Sequence, residues 1–174
     1  MKSKYINPKI IAEIGCNHKG KMDIAKQLLK VASVSGVEVA KFQKRNNIEL
    51  LTEEQYNAPH PNPINSYGDT YGAHREFLEF DINQHRELKE YAESLGLMYS
   101  TSVWDTTSAK EISSLNPELI KVPSACNNHF DMLKVLRDDY KGEVHISFGM
   151  TTKDEEVRLV ICYKLKISIN KKAL

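Results

Sequence analysis

Short apolar runs alternate with helically spaced patterns along this chain. Residues 9–15 (KIIAEIG) read as a buried strand. Residues 20–36 follow with Ile24, Leu28, Val31, Ala32 and Ser35 on one helical face, and Gly36 is a natural stop. Residues 37–43 (VEVAKFQ) are β-branched and alternating, which predicts a second strand. Residues 44–80 form a long polar segment holding Pro59, Pro61, Asn62, Pro63 and Gly68. A loop that long in a compact domain is usually a functional lid or disordered. Residues 83–95 read as a helix with Leu88, Tyr91, Ala92 and Leu95 inward, and residues 97–104 as a third strand. A capping-box pattern at Ser108–Glu111 opens a helix that Asn116-Pro117 closes. Residues 119–125 are a fourth strand. Asn128 is the expected cap of a helix carrying Met132, Leu133 and Leu136. Residues 143–150 are a fifth strand, and a capping box at Thr152–Glu155 opens another helix. Beyond Glu156 the pattern changes. β-branched residues alternate with lysines (ICYKLKISI), so that helix is expected to give way to a sixth strand with a basic end, or to a sequence out of frame.

Five β/α units imply an α/β protein with a parallel sheet and helices outside it. Two architectures fit: a complete doubly wound sheet, or the first five units of an eight-fold (β/α)8 TIM-type barrel, which needs about 250 residues. The 174 residues suit one domain. A net charge of +1 gives no field for nucleic acid or an anionic membrane. No apolar run approaches a bilayer span, and the N-terminus has no apolar signal core. Cys16, Cys126 and Cys162 form neither a disulfide framework nor a zinc spacing, so a reducing cytoplasm is expected.

The strand ends collect polar residues. They are Glu13, Asn17 and His18; Lys41 and Gln43; Ser100, Thr101 and Ser102; Lys121 and Ser124; His145, Ser147 and Gly149. In parallel α/β folds, ligands sit at the carboxyl ends of strands. Two lysines, several hydroxyls and one carboxylate suit a small anion such as a phosphate or carboxylate. A plainer reading stays open for each position. Glu13 pairs with a lysine without chemistry; Ser124 and Ser147 are core hydroxyls; His18 is a turn residue and His145 structural; Cys16 and Cys126 are packing residues; residues 62–71 are a polar loop.

The motifs AEIGCNHKG (residues 12–20), KFQ (41–43), YSTSVWD (99–105), KVPSACNN (121–128) and ISFGMTTKDE (146–155) occur in that order. Together they resemble the sialic acid synthase family: the N-acetylneuraminate synthases and their relatives for legionaminic and pseudaminic acids. The resemblance spans about residues 10–156. It implies a (β/α)8 barrel and a condensation of phosphoenolpyruvate with the open-chain aldehyde of an N-acetylated amino sugar such as N-acetylmannosamine, giving a nonulosonic acid and phosphate. It implies a catalytic role for Glu13 and a phosphoenolpyruvate pocket of Lys41, Thr101, Lys121, Ser124 and Ser147. Sugar contacts fall to Asn65 and Gln43, while Asn17 and His18 shape the mouth. It also implies a divalent metal, manganese or magnesium, as Lewis acid, and a homodimer in which an antifreeze-like C-terminal domain sends an arginine into the partner's site.

The chain departs from the family pattern at Phe148, where many members carry a threonine, and at Cys126, where some carry a glutamate. No histidine follows Ser147, so no metal ligands of the family type are found. The expected organisation is therefore an N-terminal barrel part over residues 1–156. An atypical tail, from a truncation or frameshift, is expected over 157–174, and the chain alone is expected to be inactive. Two rivals remain. One is a phosphoenolpyruvate-dependent 3-deoxy sugar acid synthase, which needs a second phosphate pocket that Arg45 hardly supplies. The other is a non-catalytic small-anion-binding α/β module.

Overall fold

The computed structural model describes residues 8–170. Its framework is a parallel sheet of β1 (Ile11–Gly15), β2 (Val39–Lys44), β3 (Met98–Val103), β4 (Leu119–Val122) and β5 (Glu143–Ile146). The strands lie in chain order, β1-β2-β3-β4-β5. A doubly wound sheet reverses its order at a switch point. This sheet never does, so it is the wall of a barrel rather than a complete open sheet. Among the described residues, β1 pairs only with β2 and β5 only with β4, so the wall is open.

The helices are α1 (Met22–Val34), α2 (Asn47–Leu50), α3 (Glu53–Asn57), α4 (Tyr71–Leu78), α5 (Ile82–Ser94), α6 (Thr106–Leu115), α7 (Phe130–Asp139) and α8 (Lys153–Asn170). Of these, α1, α5, α6, α7 and α8 pack against one face of the sheet. On that face Leu29, Phe42, Leu88 and Tyr99 form one fully buried cluster; Val103, Ile112, Ile120, Leu133 and Leu136 form another. Register partners in a parallel sheet point to the same side. Rows on the other face are therefore read directly from the pairing. The lowest holds Ile11, Val39 and Met98; the next Glu13, Lys41, Ser100, Leu119 and Glu143; the third Gln43, Ser102, Lys121 and His145. One face is thus apolar and helix-covered, and the other turns polar toward the strand ends.

Several local expectations shift. The 44–80 segment is not a featureless loop, since it carries α2, α3 and α4. Thr52 and Gln55 close a reciprocal capping box there. The third β/α helix starts at Thr106 instead of Ser108, because Asp105 accepts from the Ser108 N–H and is the true cap. His129, not Asn128, caps α7, its Nδ1 accepting from the Met132 N–H at 3.3 Å. The Thr152–Glu155 capping box forms as expected. The sixth-strand reading of the tail is overturned by α8, which runs unbroken to Asn170. Strand propensity gave way to packing here, as β propensity commonly does: Leu159 is 1% exposed in the second cluster, against α7. Residues 171–174 of that tail lie outside the described residues.

The β1–α1 turn meets the 44–80 segment backbone to backbone. Gly20 has φ +69°, and a Cβ there would fall on the Phe77 carbonyl of α4. Both facts demand glycine. Gly20→Ala is expected to cost about 2 kcal/mol or more, read from the midpoint of urea unfolding.

Candidate anion-binding site at the strand ends

Lys41 sits near the centre of the polar face and is only 8% exposed. Its ammonium contacts the Glu13 carboxylate on β1 and reaches the Ser102 hydroxyl on β3 at 3.4 Å. Glu13 itself is half exposed and opens to solvent. Burial, reinforced by the charge of Lys121 two strands away, lowers the Lys41 pKa to about 8. Lys121 is half-buried, and Ser102 and His145 flank it in register. His145 is exposed and bonded to Glu143 at 2.6 Å. The salt-bridge reading of Glu13 is therefore correct as geometry. It does not exhaust the site: Glu13 contacts Lys41, Glu143 contacts His145, and among the described residues no ion pair reaches Lys121.

The strand exits add hydroxyls. Ser124 lies in a 3-10 turn after β4, and Ser147 follows β5; both are half-buried. The Ser147 N–H donates to the Val122 carbonyl at 3.0 Å, and a Cβ on Gly149 would stand 3.7 Å from the Ser124 hydroxyl. The two exits therefore lie together. Asn127, 5% exposed, ties them, its Nδ2 donating to the Ser147 carbonyl at 2.8 Å and to Thr151 Oγ1 at 2.5 Å. Sequence reasoning missed Asn127, although KVPSACNN contains it. Gln43 is half-buried on the same face, its Nε2 3.3 Å from where a Cβ on Gly15 would stand.

Thr101 belongs elsewhere. It pairs in register with Phe42 and Ile120, is fully buried, and faces the helix layer. Ser102, one residue on, is the hydroxyl that the structure brings to Lys41. Asn65 is exposed in the 3-10 turn Pro63–Asn65, and no hydrogen bond or ion pair among the described residues joins it to the lysines. His18 does not line the mouth. It is 1% exposed and stacked on Phe80 at 4.1 Å. Cys16 is more than packing, since its Sγ takes a hydrogen bond from the Arg45 guanidinium at 2.7 Å. Burial holds its pKa above the ordinary thiol value. Among the described residues, no three His, Cys, Asp or Glu side chains cluster to hold a metal ion. The described residues therefore do not fit the divalent metal.

A sequentially wound parallel β/α wall defines a barrel-type fold, here with two lysines and several hydroxyls gathered at the strand ends. The profile of the NeuB family matches residues 28–169, and the chain belongs to that family. It is 38% identical over 150 residues to N-acetylneuraminate-9-phosphate synthase from Homo sapiens, covering 83% of this chain and 40% of the relative. It is 27% identical over 155 residues to N,N'-diacetyllegionaminic acid synthase from Campylobacter jejuni, covering 88% of this chain and 46% of the relative. The chain thus spans less than half the length of these relatives. In fold it superposes on the crystal structure of N-acetylneuraminic acid (sialic acid) synthetase from Leptospira borgpetersenii in complex with citrate. The TM-score is 0.75 at 22% identity, over 96% of this chain and 55% of that one. The barrel-type reading agrees with that structure. No helix among the described residues is long and apolar enough to cross a membrane.

Proposed function

We propose that this chain carries the phosphoenolpyruvate half of a sialic acid synthase-type active site. The observation that carries this reading is the placement of Lys41 and Lys121 on one polar sheet face, whose carboxylates Glu13 and Glu143 contact Lys41 and His145 and leave Lys121 with no ion pair among the described residues. A half-buried ammonium without an anionic partner is costly, and a bound anion answers it. In this reading the lysines hold the phosphate and carboxylate. Ser102, Ser124 and Ser147 donate the remaining hydrogen bonds, with Ser102 taking the place first expected of Thr101. Glu13 manages the proton of the attacking water or sugar hydroxyl. The methylene carbon of phosphoenolpyruvate bonds to the aldehyde carbon of an N-acetylated amino sugar, water adds at C2, and phosphate leaves. Gln43 and, from the 44–80 segment, Asn65 face the sugar. The relatives include one synthase whose product bears a phosphate and one whose product does not, so sugar phosphorylation is a variable of the test.

Calorimetric titration of the 174-residue chain with phosphoenolpyruvate tests this reading. Saturable binding is expected, and Lys41→Met or Lys121→Met should weaken it by roughly ten- to hundredfold each. Thr101→Ser should leave it unchanged, because Thr101 faces the helices. No binding by the parent chain, or binding indifferent to both lysines, would sink the reading. Addition of N-acetylmannosamine or its 6-phosphate then shows which sugar is accepted.

A further inference from the structure

The arrangement around Lys41 is richer than an anion clamp needs. To hold phosphate, a lysine need supply only the point charge of its ammonium. Lys41 is instead 8% exposed, held against a carboxylate on one side and within 3.4 Å of a hydroxyl on the other, with a second lysine across β3. A lysine that is desolvated and placed beside another cation is the setting in which an amine becomes a carbonyl nucleophile. Glu13 is half exposed, so it can exchange protons with solvent while touching the amine. Ser102 reaches the amine, and Lys121 is the register partner of Ser102 on the same face, where the carboxylate of a small acid would be held.

We infer that Lys41 captures small 2-oxo acids as a reversible imine, with Lys121 holding their carboxylate and Glu13 shuttling the proton. This deepens the phosphoenolpyruvate reading of the same pocket and rests on it. The neutral Nζ donates its lone pair to C2 of the 2-oxo acid, and the carbonyl oxygen takes up a proton to give a carbinolamine. That hydroxyl leaves as water with a proton delivered by the Glu13 carboxyl, and a C=N bond remains. Amine plus ketone gives imine plus water, with no net redox change. Loss of a C3 proton to the Glu13 carboxylate gives the enamine, so the methyl hydrogens of pyruvate exchange with solvent. The lowered Lys41 pKa, about 8, keeps a usable fraction of free amine near neutrality.

The test is borohydride reduction of the 174-residue chain in the presence of pyruvate, followed by intact mass measurement and peptide mapping. One reduced pyruvate per chain, mapped to Lys41, is expected. Phosphoenolpyruvate in excess should protect, and Lys41→Arg, which keeps the charge, should lower the adduct by roughly tenfold or more. In deuterated water the parent chain should exchange the pyruvate methyl protons, and Glu13→Gln should slow that exchange. Peptide mapping of the parent chain keeps the test informative even if a variant folds poorly. An adduct spread over surface lysines, an adduct on Lys121 alone, or no adduct while phosphoenolpyruvate still binds overturns the imine. Failure of phosphoenolpyruvate to bind sinks the anion reading instead, and a Lys41 adduct that persists in that case supports the imine on its own.

Discussion

Acidification from pH 7 to pH 4 is expected to unfold this protein, with most of the stability lost before ordinary carboxylates titrate. The cause is two buried neutral imidazoles. His85 is fully buried, bonded through Nδ1 to the Tyr99 hydroxyl at 2.5 Å, and its pKa falls to about 3, first through burial and then through the nearby Lys44. His18, 1% exposed between Phe42 and Phe80, falls to about 4, again first through burial and then through Arg45. The ordinary value is 6.5. A folded pKa below the unfolded one means that the unfolded chain binds protons first. The stability is therefore whole above about pH 6.5 and drains as pH falls toward 4 and then 3. At 1.36 kcal/mol per unit, the full effect is about 3 kcal/mol for His18 and about 5 kcal/mol for His85. Domains of this size have about 5–15 kcal/mol in total. Glu79 works the other way. Burial raises its pKa, so its contribution is present at low pH and lost as pH rises through the folded value. It blunts the acid loss without cancelling two histidines. Urea midpoints from pH 7 to pH 4 should fall steeply in the parent and less in His18→Phe, which keeps the stack on Phe80. Equal slopes would show that His18 is not neutral in the folded state.

Glu79→Ala is expected to cost about 3–5 kcal/mol. Arg45 and Glu79 form an ion pair at 2.5 Å with side chains 9% and 8% exposed. Glu79 also accepts from the Arg45 backbone N–H at 3.1 Å, and the guanidinium lies over Trp104 at 5.9 Å. Removing Glu79 strands a buried guanidinium whose remaining neighbours are a thiol and an aromatic ring. Arg45→Met combined with Glu79→Leu should recover most of the loss, because two apolar side chains strand nothing. Urea unfolding of the two single variants and the double variant checks both statements. If each single costs under about 1 kcal/mol, the range of exposed pairs, the pair is solvated in solution.

The strands were legible from their apolar runs because a buried parallel strand has few ways to be written. The order of the sheet was not, since β/α periodicity is the same for an open sheet and a barrel wall. The polar face of the sheet was legible except for the phase of β3. Tyr99-Ser100-Thr101-Ser102 offers hydroxyls at four successive positions and no polar alternation to set the phase. The phase is fixed by Tyr99, which the helix layer buries, so Thr101 follows it inward and Ser102 turns to Lys41. Arg45 and His18 stayed hidden for a related reason. Their partners, Glu79 and Phe80, lie 34 and 62 residues away at the end of the polar segment. No local pattern announces a contact of that reach. The tail misled because alternating β-branched residues and lysines read as a strand until α7 supplies a surface for Leu159.

The open wall also grades the motion of the site. Amide protons in β2, β3 and β4, each paired on both sides, should exchange slowly, while those of β1 and β5 open at lower cost. Lys41, Ser102 and Lys121 all belong to the slow strands, and Glu13 and Ser147 stand on or beside the fast ones. Lys41, Ser102 and Lys121 are thus anchored in the stiffest part of the molecule, while Glu13 rides on a strand free to breathe.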